Sequence, residues 1–133
     1  MATKKVDRPR CSGRWSEAQY VAFIKSQLRG ASWKWGPTVE THREARRGRG
    51  QYECNVCKQI VPPTLNRQKN IAVDHIIPIV NPETGFTSWN DFVNGLFCEK
   101  DNLQLICKAC HTKKSKEESD RAKERRKKAN GNI

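Results

Sequence analysis

Two Cys-x-x-Cys pairs, Cys54-Asn55-Val56-Cys57 and Cys107-Lys108-Ala109-Cys110, stand far apart in a chain of 133 residues. Each pair can turn two thiolates toward one side of a tetrahedral ion, so together they predict one four-cysteine structural Zn2+ site that pins two remote segments to each other. Metal ligands are expected before disulfides, because Met1 to Arg14 is charged and no apolar leader follows it. Cys11 and Cys98 are left without partners and read as ordinary thiols. The staple matters because apolar residues make up only 35% of the chain and charged ones 30%, against the usual roughly 45–50% apolar. A large self-sufficient core is not expected. The length fits one domain with appended arms, and no apolar run approaches the roughly 18 residues that span a bilayer.

Lysine and arginine number 26 against 14 acidic residues, a net charge of +12. That excess points to a polyanion, with nucleic acid first, because cationic side chains release the counterions condensed on phosphates. An anionic membrane surface ranks second, since no basic amphipathic helix with an apolar face stands out. Plain solubility is the bland alternative.

Ser16 and Gln19 match a capping box, and Tyr20, Phe23, Ile24 and Leu28 follow at helical spacing, so a first helix is expected to stop at Gly30. Thr38 is read as the cap of a second helix through Arg46, ending at Gly48 and Gly50. Its Arg43, Arg46, Arg47 and Arg49 form a basic patch for phosphate contact or a solvated face. The first cysteine pair and a Pro62-Pro63 turn precede Ile71–Pro78, a β-branched run cut off by proline. A short helix is expected over Trp89, Phe92, Val93, Leu96 and Phe97, and a second short strand over Leu103–Ile106. The second cysteine pair opens a helix. Its continuation, Lys113 to Lys128, has nine basic and four acidic residues and reads as a charged helix or frayed tail. His42 is read as a solvent histidine, and Trp15, Trp33, Trp35 and Trp89 as packing residues.

Asp74 and His75 close the first predicted strand, Asn102 precedes the second, and His111 follows the last cysteine. Four thiolates already satisfy a structural zinc, so Asp74, His75 and His111 are available for a second site. An oxygen and an imidazole nitrogen leave open positions on a Mg2+ or Mn2+ class ion, and a neutral imidazole can take a proton from water. Two rival motifs fail. Cys107-Lys108-Ala109-Cys110-His111 spells a c-type haem attachment string, but Met1 is the only methionine and Cys54 and Cys57 would be unexplained. A zinc deaminase needs a glutamate two residues after His75, where Ile77 stands.

The residues Cys54 and Cys57, Asp74-His75-Ile76-Ile77-Pro78, and Asp101 through His111 trailed by Lys114-Ser115 resemble the HNH family of His-Me finger endonucleases, in particular its small phage-encoded members. The resemblance implies an α+β fold with a ββα-metal core. It implies His75 as the base that activates water, Asp74 and His111 as ligands of a catalytic Mg2+ or Mn2+ class ion, and Asn102 as the residue that ties down the inter-strand loop and orients the histidine. Lys113, Lys114 and Arg43, Arg46, Arg47 and Arg49 would hold the DNA backbone. The expected organisation is a basic N-terminal extension over 1–50, a zinc-bound nuclease core over 51–116 and a charged tail over 117–133. The expected activity is hydrolysis of DNA to 5′-phosphate and 3′-hydroxyl ends. A non-catalytic nucleic-acid-binding module on the same fold is the alternative. A monomer is the default, with a dimer on DNA for double-strand cutting. The phage resemblance implies a role beside genome packaging, with packaging proteins as partners, or in mobile-intron-like cleavage, and the cytoplasm of an infected bacterium as the location.

Overall fold

A computed structural model describes residues 6–130; residues 1–5 and 131–133, the outer ends of the expected N-terminal extension and charged tail, lie outside the described residues. The chain divides into two compact units, with the boundary between Trp33 and Lys34.

In the first unit, Arg10 and Trp15 form an antiparallel bridge around a turn in which Cys11, Ser12 and Gly13 all have positive φ. Helix α1 (Glu17–Ala31) opens at Ser16. The Ser16 hydroxyl accepts from the Gln19 N–H at 3.2 Å, and the Gln19 side chain accepts from the Ser16 N–H at 2.8 Å, the reciprocal box that the sequence predicts. The helix does not stop at Gly30. Ser32 caps it in a right-handed conformation, with its hydroxyl and its N–H both donating to the Arg29 carbonyl, so a left-handed glycine is not needed. Arg10 pairs with Glu17 at 2.9 Å and lies 4.1 Å from the Tyr20 ring centroid. Trp15 packs on Phe23.

The second unit begins with helix α2 (Gly36–Glu44). Trp35, not Thr38, is its N-cap. Pro37 sits in the first turn, where its missing N–H leaves nothing unsatisfied, and the Thr38 N–H donates to the Trp35 carbonyl at 3.0 Å. The helix also ends before Arg46, because the next residues are drawn into a sheet. Strands β1 (Arg46–Gly48), β2 (Gln51–Glu53) and β3 (Ile60–Val61) pair antiparallel in that order. Arg46 and Arg47 therefore lie on a strand, where tertiary pairing overrides helix propensity. The first cysteine pair forms the tight connection between β2 and β3. There the Cys54 N–H donates to the Gln59 carbonyl, the Lys58 N–H donates to the Cys54 carbonyl, and Lys58 takes a φ of 62°. After Pro62 and Pro63, strands β4 (Thr64–Leu65) and β5 (Gln68–Lys69) make a hairpin. Its two turn residues, Asn66 and Arg67, have φ of 53° and 64°, as a primed two-residue turn demands.

The remaining elements are β6 (Ile71–His75), α3 (Trp89–Leu96), β7 (Leu103–Cys107) and α4 (Lys108–Ala129). Strands β6 and β7 pair antiparallel from Ile71 opposite Cys107 to His75 opposite Leu103, and α4 follows β7 without a loop. This is an α+β arrangement consistent with a ββα-metal fold. The charged segment after His111 is helical through Ala129. Ser88 caps α3 by accepting from the Asp91 N–H at 3.1 Å, and Phe92 and Leu96 are buried. The indole N–H of Trp35 donates to the Cys98 carbonyl at 2.6 Å and its ring meets Phe97; Trp89 stacks edge-on with Phe86 and Phe92. Trp33, expected to pack, is 61% exposed. His42 is exposed, with its ring on Tyr52. Among the described residues no helix is long and apolar enough to cross a membrane.

The buried apolar residues among those described are Cys54, Phe92, Leu96, Leu103, Leu105, Ile106 and Cys107. Cysteines are thus part of the core itself, with Cys54, Ile106 and Cys107 packed together against Val61, Ala72 and Cys110. The sulfurs of Cys54, Cys57, Cys107 and Cys110 all lie within 4.8 Å of one another, and those of Cys57 and Cys107 are 3.9 Å apart. Four sulfurs about 2.3 Å from a tetrahedral zinc would stand about 3.8 Å apart. Four thiolates with no oxygen among them are the donor set of a zinc-type site.

An apparent contribution of roughly 10–16 kcal/mol from such an ion matches or exceeds the roughly 5–15 kcal/mol net stability of a whole domain. Cys57→Ser and Cys107→Ser should therefore abolish the cooperative melt seen by circular dichroism, and metal analysis of the wild-type protein should find zinc bound. A Cys57→Ser protein that melts as wild type would refute the staple.

Candidate metal and nucleic-acid site

Four mutually close thiols cannot all ionise unless a cation sits among them. Burial opposes the Cys54 thiolate, but N–H donors from Cys57, Cys107 and Val56 outweigh it and bring its pKa down to about 6. Cys110 moves the other way, up to about 12, because its hydrogen bond to Cys107, its burial and the neighbouring Cys57 and Cys54 sulfurs all favour the thiol. A divalent ion would supply the charge that reconciles them. Cys11 and Cys98 lie outside this cluster.

Successive residues of a strand face opposite sides of its sheet, so the last two residues of β6 present their side chains to different neighbours. Asp74, directly across from Gln104 in the register, accepts from the Gln104 amide at 3.1 Å and pairs with Lys114 of α4 at 3.2 Å, both through Oδ2. Its Oδ1 lies 3.8 Å from Nε2 of His111, one helical turn before Lys114. The Asp74 side chain is 11% exposed, whereas that of His111 is 44% exposed, so a partly buried carboxylate oxygen and a solvent-reaching imidazole nitrogen converge on one place. Two metal bonds of about 2.1 Å each can span their separation. This pair could supply two ligands to a hard divalent ion.

His75 points elsewhere. Its Nε2 lies 2.9 Å from the carbonyl oxygen of Leu96, the last residue of α3. A carbonyl can only accept, so Nε2 carries the hydrogen and the lone pair of the neutral ring is on Nδ1. Asn102 holds the loop that follows. Its side-chain oxygen accepts from the Ile77 N–H at 2.8 Å, its amide donates to the Ile77 carbonyl at 3.2 Å, and its main-chain carbonyl accepts from the Ile76 N–H at 2.9 Å.

The basic residues are placed less uniformly than their sequence suggests. Arg43 is exposed at the end of α2, Arg49 is exposed between β1 and β2, and Arg46 is exposed on β1. Arg47 donates to the Glu44 carbonyl at 2.6 Å and pairs with Glu53 at 3.6 Å. Lys113 is exposed. Lys114 turns inward, where its ammonium contacts the His75 carbonyl at 2.9 Å, Glu118 at 2.9 Å and Asp74. Burial works against its charge, but Glu118 and Asp74 outweigh that and raise its pKa. Residue types alone do not reveal the carbonyl of Leu96 or the amide of Gln104. For Gln104 a signal existed, because pairing the two predicted strands places it opposite Asp74.

No curated protein and no solved structure matches the chain. Residues 54–117, however, match a family model. The matched segment runs from the first cysteine of the cluster into α4 and takes in all four sulfurs together with Asp74, His75, Asn102 and His111. The match is to the HNH endonuclease family, so residues 54–117 of this chain are an HNH endonuclease domain, a nuclease whose substrate is nucleic acid.

Proposed function

We propose that the chain is a metal-dependent DNA endonuclease with its catalytic core in residues 51–116, flanked by a basic extension over 1–50 and a charged tail over 117–133. The observation that carries the reading is the His75 hydrogen bond to the Leu96 carbonyl, which puts the ring hydrogen on Nε2 and leaves the Nδ1 lone pair as the base, one residue along the strand from Asp74. In this mechanism Nδ1 of His75 takes a proton from water as the water oxygen attacks phosphorus in line. The bond from phosphorus to the 3′ oxygen breaks, which leaves a 5′-phosphate and, once the departing oxygen is protonated, a 3′-hydroxyl. Asp74 and His111 would hold a Mg2+ or Mn2+ class ion, which when bound neutralises charge on the phosphate and the leaving oxygen. Asn102 keeps the loop after His75 from drifting, so the imidazole stays aimed.

Arg43, Arg46, Arg49 and Lys113 contact the duplex backbone, with Arg47 beside them and Lys114 at the floor of the site; such contacts position DNA without reading its sequence. The protein acts as a monomer by default, nicking DNA or cutting both strands, the latter by a dimer on DNA or by sequential nicks, in the cytoplasm of an infected bacterium, with phage packaging proteins as partners if its role lies in genome packaging.

His75→Ala should lower single-turnover plasmid cleavage by roughly 10²–10⁴-fold while DNA binding and zinc content stay unchanged. High Mn2+ should restore part of the activity of His111→Ala and none of that of His75→Ala. A purified His75→Ala protein that cuts at the wild-type rate would remove the assignment, and a wild type that binds DNA but never cuts with Mg2+ or Mn2+ would leave a binding module. If about six phosphates are neutralised, log affinity should fall with log salt at a slope of roughly −5. A flat salt profile would contradict the basic surface.

A further inference from the structure

A single line of side-chain hydrogen bonds connects the first cysteine pair to Asp74. Lys58 donates to Oδ1 of Asn55 at 3.2 Å, Nδ2 of Asn55 donates to Oε1 of Gln104 at 2.9 Å, and Nε2 of Gln104 donates to Oδ2 of Asp74 at 3.1 Å. Chemistry fixes the polarity of every link. An ammonium can only donate and a carboxylate can only accept, so each amide between them has one allowed orientation. Asn55 lies between Cys54 and Cys57, and its main-chain N–H is held by the Leu105 carbonyl at 2.8 Å. Gln104 is only 8% exposed. With Lys114 also on Oδ2, that oxygen is saturated, and Oδ1 faces His111.

We infer that Asn55 and Gln104 are positioning residues that preset the Asp74 carboxylate, so that the cysteine knuckle orients the second metal site as well as stapling the fold. This rests on the reading of Asp74 and His111 as ligands of a divalent ion. Asn55 touches neither Asp74 nor His111, yet Asn55→Asp should reach the site. An acceptor-only group at position 55 turns the Gln104 amide around and sets its oxygen against Asp74.

The experiment measures Mn2+ binding to the full-length, zinc-loaded protein by electron paramagnetic resonance, with zinc content and melting temperature recorded for each variant. Asn55→Asp should weaken Mn2+ binding about 10–100-fold, the range found when partners of metal ligands are removed, and Asn55→Ala should weaken it less, both with zinc content and melting unchanged. Gln104→Leu, which keeps the volume and loses the donor, should match Asn55→Asp; if it fails to fold, the exposed Asn55 variants decide. Wild-type affinity in Asn55→Asp while Asp74→Ala has lost Mn2+ overturns the relay. Loss of zinc or a lowered melt in Asn55→Asp also overturns it, since the role would then be structural. An Asp74→Ala protein that binds Mn2+ as wild type overturns the ligand reading itself.

Discussion

The sulfurs of Cys57 and Cys107 approach to 3.9 Å although 50 residues separate them in the chain, and closing a loop of that length costs entropy before any contact inside it forms. At the Cys57 end of the loop the apolar side chains Val56 and Ile60 are 54% and 50% exposed, so they offset little of that cost. Cys54 and Cys107 are themselves core residues, and the side chains around them are few. Strand β7, with all five residues buried, lies where it does because its last residue is one of the four sulfurs. Through β7 the same constraint sets the register of β6, and through the register it sets the height of Asp74 and His75.

The parts of this fold that were legible in the sequence are those decided locally. The Ser16 box, the proline-terminated strand at Ile71–His75 and the Ser88-capped helix each carry their own signal within a few residues. Thr38 is a good cap by type, but Pro37 fixes the first turn one step earlier, so the second helix starts before the position that its cap signal marks. Arg46 and Arg47 could not be read as strand, since their pairing with β2 is long-range and leaves no alternation in so short a segment. The β4–β5 hairpin is equally faint, with two residues in each strand and a turn of Asn and Arg in place of the usual glycine.

The candidate site divides in the same way. Side chains with distinctive chemistry, Asp74, His75, Asn102 and His111, stand out by type and order. Their partners do not. The acceptor for His75 is a main-chain carbonyl at the end of α3, a group every residue possesses, and only the packing of Phe92 and Leu96 brings it within 2.9 Å of the ring. Lys114 shows the converse. A lysine in a basic run reads as solvent-facing, and it becomes part of the site because three acceptors, the His75 carbonyl, Asp74 and Glu118, meet at its position one turn beyond His111.

Cys107 is the N-cap of α4, and Cys110 and His111 follow in its first turns. Two sulfurs of the cluster and the imidazole therefore share one short stretch of helix, where the N-terminal end of the backbone dipole favours thiolate charge. On the staple reading, an ion held by the four sulfurs would fix the start of α4 and with it the place of His111. On that reading the geometry proposed for hydrolysis would be complete only in the folded, ion-bound state.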